Sequence, residues 1–406
     1  MIYSLYPLLK VVSGISLHPV FIIGSKGTPA KYGGFETFVD NLVSRQNSSQ
    51  IKYFIACRRD LSDNKADLYD YKKATCFNVD VPNIGPAKAI LYDLRALSWT
   101  LDYIQKNNIR GAIVYILACR VGPFLKHYSK QLKLYDTQIF VNPDGHEWMR
   151  AKWGFFVRKY WKLSERLMIK DADLIICDSK HIELYIREKY RSYKPKTIYS
   201  SYGADVATSQ DVKAQDLQNW FNKKQISSGQ YYLVVGRFVP ENNYQTIVAE
   251  FEKSKTKKDL VIITNPDNTK FLKSLKDQTG FELDNRIKFV GTVYDKDLLS
   301  AIRRNAFGYI HGHEVGGTNP SLLEALGTTN LNLLFDVGFN KEVGQDAAIY
   351  WNKQAGNLAH IINRVDQMSE EERQTLGKKA KQIIDKNFSW DKIVSQNERQ
   401  FIDGKI

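Results

Sequence analysis

"FIIGSKGTPAKYGGFETFVDNLV", residues 21–43, passes from an apolar run through a cluster of glycines into what reads as a helix. The run Phe21–Ile23 breaks at Gly24; Gly27, Pro29 and the pair Gly33–Gly34 follow. A strand that hands over to a glycine-rich turn and then to a helix N-terminus is a common way to hold a phosphate. The spacing is not the dinucleotide fingerprint G-x-G-x-x-G, and no G-K-[ST] follows that would make it a P-loop. A tight turn without a ligand is the competing reading of these residues.

The alternation continues along the chain. Apolar, β-rich runs at 20–24, 52–58, 74–81, 111–119, 137–145 and 172–179 form one series, separated by helical patterns. A second series lies at 231–238, 259–265, 286–293, 306–312 and 330–336. Near-continuous apolar strands between helices mean parallel sheets covered on both faces. Two series predict an α/β protein of two doubly wound domains, and 406 residues exceed what one core serves. Gly203 and a polar run interrupt the alternation near 198–217. The expected domains are therefore 1–205, with 1–19 an extra segment, and 206–387. A last helical pattern, 388–406, is expected to cross back onto the first domain through Trp390, Ile393, Val394 and Phe401.

Charge is distributed unevenly between these halves. The net charge is +14, with 31 Lys/Arg against 19 Asp/Glu in residues 1–205 and 27 against 25 in the remainder. Solubility does not require such asymmetry, so the first domain is expected to meet an anionic partner: a membrane surface, a lipid phosphate or a nucleic acid. Cys57, Cys76, Cys119 and Cys177 are widely spaced, lie in or beside apolar runs and form no CxxC. Buried free thiols in a reducing cytosol fit this pattern better than a zinc site. The first twenty residues are apolar but interrupted by Pro7, Lys10, Gly14 and His18. They are too broken to span a bilayer and lack the basic start and cleavage site of a signal peptide.

Ligands of open α/β sheets bind beyond the carboxyl ends of the strands. After "TQIFVNP" comes Asp144-Gly145-His146-Glu147-Trp148, which suits sugar-hydroxyl binding or proton transfer. The stretch 149–170 holds seven Lys/Arg, including Arg150, Lys152, Lys159, Lys162 and Arg166, and one Glu. Phe156, Tyr160, Leu163 and Leu167 share one helix face beside a basic one, a pattern for anionic headgroups and acyl chains, or for core packing with a solvated basic side. The pair Asp171 and Asp173 precedes its strand, the wrong edge of the sheet for a metal site. Arg237 directly follows a strand and is placed to grip a diphosphate bidentately. In "HGHEVGGTNPSLLEALG" (311–327), Gly316, Gly317, Thr318 and Asn319 lead into Pro320, with the signals of a helix start. The free amides of that turn, through Ser321, form an anion site. Glu324, one turn in, is placed for a ribose hydroxyl.

Taken together, these segments resemble GT-B glycosyltransferases of family four of the retaining enzymes, and more narrowly the bacterial rhamnosyltransferases of capsule and rhamnan synthesis. The resemblance rests on "IGSKGTPAKYGGFETFV", "VDVPNIGPAKAI", "LACRVGPF", "VNPDGHEWMRAKW", "KYWKLSERLMIKDADLIICDSK", "VGRFVPENN" and "GGTNPSLLEAL", and runs over almost the whole chain from about residue 20. It implies two Rossmann-like domains facing across a cleft, and a cytoplasmic enzyme peripheral on the inner face of the cell membrane. The implied reaction moves L-rhamnose from dTDP-rhamnose to the first sugar, glucose or N-acetylglucosamine, of an undecaprenyl-diphosphate acceptor in a β-1,4 linkage, with retention and without a metal or other cofactor. It also implies roles for residues. Asp144, His146 and Arg237 fall on catalytic positions. Gly33, Gly34, Arg237, Gly317, Thr318, Asn319, Ser321 and Glu324 fall on the donor side. Arg150, Lys152, Lys159, Lys162 and Arg166 fall on the membrane and acceptor side.

Two departures from the family pattern stand out. The first Glu of the family's E-x7-E, which contacts the donor sugar, is Gly316 here, with Glu314 displaced by two; a 6-deoxy sugar would account for this. The Lys five residues after the diphosphate Arg is Asn242, leaving charge neutralisation to Arg237 and the helix N-terminus, or to Lys26 or Lys31. The alternatives are a transferase of another nucleotide sugar and a sugar-nucleotide epimerase of the same fold. Nucleic-acid binding is suggested by charge alone and no recognised module supports it, so no nucleic-acid partner is expected.

Overall fold

The computed structural model describes residues 17–404 except 32, 151–152, 207–213 and 267–268. The extra segment expected at 1–19 lies outside the described residues up to residue 16, and Lys152 lies outside them as well. Two compact units emerge. One comprises Met1–Trp148, Phe155–Ser201 and Trp390–Ile406; the other comprises Met149–Gly154 and Tyr202–Ser389.

The first unit is built on eight strands: β1 (His18–Ile23), β2 (Ile51–Arg58), β3 (Leu68–Tyr71), β4 (Ala74–Val79), β5 (Ile113–Leu117), β6 (Gln138–Asn142), β7 (Leu174–Cys177) and β8 (Thr197–Tyr199). They pair in the order β3-β4-β2-β1-β5-β6-β7-β8, all parallel except the β3–β4 hairpin. The central strands are buried along their length, as strands must be when helices cover both faces. Phe21, Phe54, Phe77, Val114, Ile116 and Val141 lead one core.

The second unit has six strands, β9 (Tyr231–Val235), β10 (Asp259–Ile263), β11 (Ile287–Gly291), β12 (Gly308–His311), β13 (Asn332–Phe335) and β14 (Ile349–Trp351). Their order is β11-β10-β9-β12-β13-β14, and every pairing is parallel. This is the doubly wound order of nucleotide-binding sheets, with a separate apolar cluster on each face.

The last helix, Trp390–Asp403, belongs to the first unit. Glu398 accepts the amides of Asn47 and Ser48 at 3.0 and 3.1 Å, and Phe401 packs against the rings of Tyr53 and Tyr115. Trp390, Ile393, Val394 and Phe401 are all buried. The unit boundaries differ in detail from those read in the sequence. Ala204 donates its amide to Phe388, and Asp205 lies against Gly327, so the second unit already begins at Tyr202. Met149–Gly154 also cluster there, although the sequence places them in the first domain.

Candidate active site

In a doubly wound sheet the ligand crevice opens where the strand order reverses. In the second unit this point lies between β9 and β12, and the chain after each carries polar groups. Beyond β9, Arg237 is exposed and makes no ion pair among the described residues. Its carbonyl accepts Asn242 Nδ2 at 2.7 Å. That bond leaves Asn242 Oδ1 facing His313 Nδ1 at 2.8 Å. Burial, with Arg150 and Arg237 nearby, holds the His313 pKa far below that of free imidazole. A neutral His313 therefore carries its proton on Nδ1 and offers Nε2 as an acceptor. Gly312 is required here because a Cβ would lie 2.2 Å from the Asn242 carbonyl oxygen. His311 is buried too, and burial alone pulls its pKa down to about 3.

Past β12, the chain turns into the helix Pro320–Thr328, capped by Asn319. Asn319 Oδ1 accepts the Ser321 amide at 2.9 Å, so that amide is already used. Ser321 Oγ, for its part, faces Arg303 and Tyr309. The amides of Gly317, Thr318 and Asn319 have no acceptor among the described residues. The buried Oγ1 of Thr318 likewise has no partner. Glu324 points back along its helix to Arg303, with Oε2 2.7 Å from the guanidinium. Glu314 pairs with Lys353 at 2.5 Å and accepts Asn243 Nδ2 at 3.1 Å. It is tied to the rim of the crevice and leaves the space at Gly316 without a carboxylate. These groups can bind a diphosphate through amides and one guanidinium, and a hydroxyl through Glu324.

In the first unit the order reverses between β1 and β5. Gly24, at φ +103°, lies so close to Leu117 that a Cβ would meet its carbonyl oxygen at 2.2 Å. Arg120 spans the gap, donating to Gly24 O at 3.1 Å and pairing with the buried Asp93 at 3.0 Å. The fields of Asp144 and Glu147 also act on Arg120. Asp144, Gly145 and His146 take φ values of 60°, 71° and 50° in succession. Left-handed backbone at Asp and His costs about 1–2 kcal/mol each, and such strain gathers at functional sites. The His146 ring lies 4.3 Å from that of Tyr185, tilted by 57°, and burial lowers its pKa. Asp144 and His146 thus share one turn beyond β6, and Asp144 lies close enough to Arg120 to shift its titration.

The opening loop holds something the sequence did not reveal. A Cβ on Gly33 would fall 1.8 Å from Glu36 Oε2. Glu36 is buried, and its Oε1 accepts the Lys26 amide at 2.8 Å. The Glu36 carboxylate therefore packs against Gly33 at the start of this helix and leaves no room for a side chain there. Glu36 also lines a pocket of about 190 Å³ with Lys26, Thr28, Lys31, Cys57 and Asp63. Lys31 is committed to Asp63 at 2.6 Å, while Lys26 is exposed. Arg120, Arg303 and Glu36 are functional candidates absent from the sequence reading.

The basic helix spans Phe155–Asp171. Its buried face is Trp161, Ser164, Glu165, Met168 and Ile169, not the stripe through Phe156 and Leu163. Phe155 and Phe156 are 65% and 83% exposed. Lys159 sits over Phe155, and Lys162 over Trp148; Arg166 donates to Tyr193 Oη at 2.7 Å. Arg150 departs from the sequence expectation of a lipid-facing cation, because it is buried in the other unit, where its charge acts on His313. Asp173 accepts the Ile139 amide and meets Lys133, bracing the sheet. The four cysteines are buried free thiols. Among the described residues no helix is long and apolar enough to cross a membrane.

Comparison with known proteins agrees with this geometry. Residues 17–205 match a family model described as a domain of unknown function, DUF1972, and residues 216–384 match glycosyl transferases group 1. An uncharacterised glycosyltransferase of Methanocaldococcus jannaschii is 24% identical over 389 residues, covering 91% of this chain and 94% of that one. Sucrose-phosphate synthase from Thermosynechococcus elongatus aligns with a TM-score of 0.75 at 16% identity, over 96% of this chain and 100% of that one. HepE of Anabaena, in complex with UDP, aligns at 0.68 and 13% identity, over 95% and 100%. Likeness at that identity establishes the fold: two Rossmann-like α/β units of the GT-B type.

Proposed function

The chain is a glycosyltransferase of group 1 with a DUF1972 domain ahead of its transferase domain, and we propose that it moves L-rhamnose from dTDP-rhamnose to a lipid-linked sugar. The acceptor is the first sugar, glucose or N-acetylglucosamine, on undecaprenyl diphosphate; the linkage is β-1,4, made at the inner face of the cell membrane. One observation carries the nucleotide-sugar reading. The unpaired amides of Gly317–Asn319, the orphaned Thr318 hydroxyl and exposed Arg237 gather at the strand-order reversal, with Glu324 one helical turn on. The choice of sugar draws support from the resemblance of seven stretches and from Gly316 in place of a sugar-contacting Glu. The lipid acceptor draws support from the exposed Phe155, Phe156, Lys159 and Lys162.

The second unit holds the donor. As the bond between C1 of the sugar and the β-phosphate oxygen breaks, negative charge grows on that phosphate. Arg237 and the amides ahead of Pro320 stabilise it more in the transition state than in the ground state. The acceptor hydroxyl attacks C1 from the same face, its oxygen bonds to C1, and its proton passes to the departing phosphate. Asp144 and His146 orient the acceptor; His146, kept neutral by burial, offers a hydrogen bond without adding charge. No metal enters this scheme.

The test is incubation with a panel of dTDP- and UDP-sugars and synthetic glucosyl- and N-acetylglucosaminyl-diphospholipids, read by mass. The expected product carries one added deoxyhexose and forms only from dTDP-rhamnose. Transfer from a UDP-hexose instead would overturn the donor assignment. Conversion of the nucleotide sugar without acceptor would overturn the transfer.

A further inference from the structure

Arg303 lies in the last turn of the helix Lys296–Arg304, away from every stretch that carries the family likeness. Its side chain is 4% exposed, whereas that of Glu324, its partner, is 39% exposed. Its Nη2 reaches Glu324 Oε2 at 2.7 Å and Ser321 Oγ at 3.1 Å. Its Nε is buried without a partner. Ser321 Oγ is held in turn by Tyr309 Oη at 3.2 Å. A guanidinium this deep is expensive to bury, and the unpaired Nε shows that the surroundings were not built to satisfy it fully. What it achieves is directional, because it engages one oxygen, Oε2, of a half-exposed carboxylate.

We propose that Arg303 is a positioning residue that fixes the Glu324 carboxylate so that a single oxygen is presented to a single ribose hydroxyl of the donor. The site then reads one hydroxyl and is indifferent to the second, which suits a 2′-deoxyribonucleotide. A free carboxylate, by contrast, would chelate a 2′,3′-diol through both oxygens and favour ribonucleotides. This inference rests on the reading of Glu324 as the ribose contact.

The experiment measures binding of dTDP, its 2′-hydroxylated counterpart and its 3′-deoxy counterpart to the full chain and to Arg303→Met, Arg303→Lys and Glu324→Ala. In the parent protein, the 2′-hydroxylated nucleotide should bind within about threefold of dTDP, and the 3′-deoxy nucleotide about tenfold more weakly. Glu324→Ala should abolish the discrimination against the 3′-deoxy compound. Arg303→Met should shrink it below about threefold, and Arg303→Lys should restore most of it. A purely structural role for Arg303 would weaken all three nucleotides equally and leave their ratios unchanged, which would overturn the proposal. A clear preference of the parent for the 2′-hydroxylated form would overturn it as well. If Glu324→Ala retains the parent's ratios, the ribose reading itself fails, a result distinct from retention in Arg303→Met alone.

Discussion

Asn319 accepts the amide of Ser321 through its own side chain at 2.9 Å, which closes the first turn of the Pro320–Thr328 helix from within. A helix start capped in this way offers a ligand only the amides ahead of the cap, here those of Gly317, Thr318 and Asn319 itself. The cap and the anion site are thus adjacent but separate, and substitution can pull them apart. Asn319→Ala should cost about 1 kcal/mol of stability and raise the donor KM modestly. Asn319→Asp caps equally well, so it should keep the melting temperature of the parent, but it sets a negative charge against the phosphates. Its donor KM should rise at least tenfold, measured by nucleotide titration beside thermal unfolding. Equal affinity of the Asp variant and the parent would remove this turn from the donor site.

Arg237 is exposed, so its removal should leave stability unchanged. As a guanidinium placed for the leaving diphosphate, it should contribute about 3–4 kcal/mol to the transition state. Arg237→Ala is then expected to lower kcat by roughly 10²- to 10³-fold. Arg237→Lys should recover part of this, since it keeps the charge and loses the bidentate fork. Steady-state kinetics with unchanged kcat in the Ala variant would take Arg237 out of the reaction.

Much of this architecture was legible in the sequence because buried parallel strands are continuous apolar runs. The three strands missed, β3, β8 and β14, all lie at sheet edges. They are four, three and three residues long and only partly buried, so their composition does not announce them. The helix 155–171 was legible as amphipathic, but its buried face was not. Glu165 and Ser164 take core positions that a polarity rule assigns to solvent, because Glu165 there accepts Tyr185 Oη and Tyr190 Oη. Glu324 was visible from spacing; Arg303 was not, since its meaning comes from a contact 21 positions away in another helix. Nor could sequence show that Glu36 folds back over Gly33, or that Arg150 is buried.

Acid should weaken the second unit through its buried imidazoles. His311 is held neutral with its pKa drawn down to about 3, against about 6.5 when unfolded. Between these values the unfolded chain binds more protons than the folded one. The stabilisation is therefore complete above pH 6.5 and lost progressively as pH falls toward 3. Near pH 5 the slope should be about 1.4 kcal/mol per pH unit from this group, with His313 adding in the same direction. Urea unfolding of His311→Asn at pH 7 and pH 5 should show a smaller pH difference than the parent, and identical differences would show that burial of His311 does not set this dependence.

The exposed face of the basic helix makes two demands that separate lipid docking from ordinary solubility. Trp161, Met168 and Ile169 already supply its core contacts, so Phe155, Phe156 and Leu163 are not needed to hold it in place. Exposed aromatics beside Lys159 and Lys162 fit an anionic interface, where each cation contributes about 1 kcal/mol and rings enter the headgroup layer. The two contributions respond differently to salt. Reversing charge at Lys159, Lys162 and Arg166 should weaken sedimentation with anionic vesicles by two orders of magnitude or more at low salt, with the gap to the parent closing as ionic strength shortens the Debye length below about 8 Å. Phe156→Ser should weaken binding by a salt-independent factor of roughly ten. Neither change touches the donor groups, so turnover with a short, detergent-soluble diphosphate acceptor should stay near that of the parent. Parent-like vesicle binding in the charge-reversed protein would assign this face to solvation and leave the acceptor to be reached from solution.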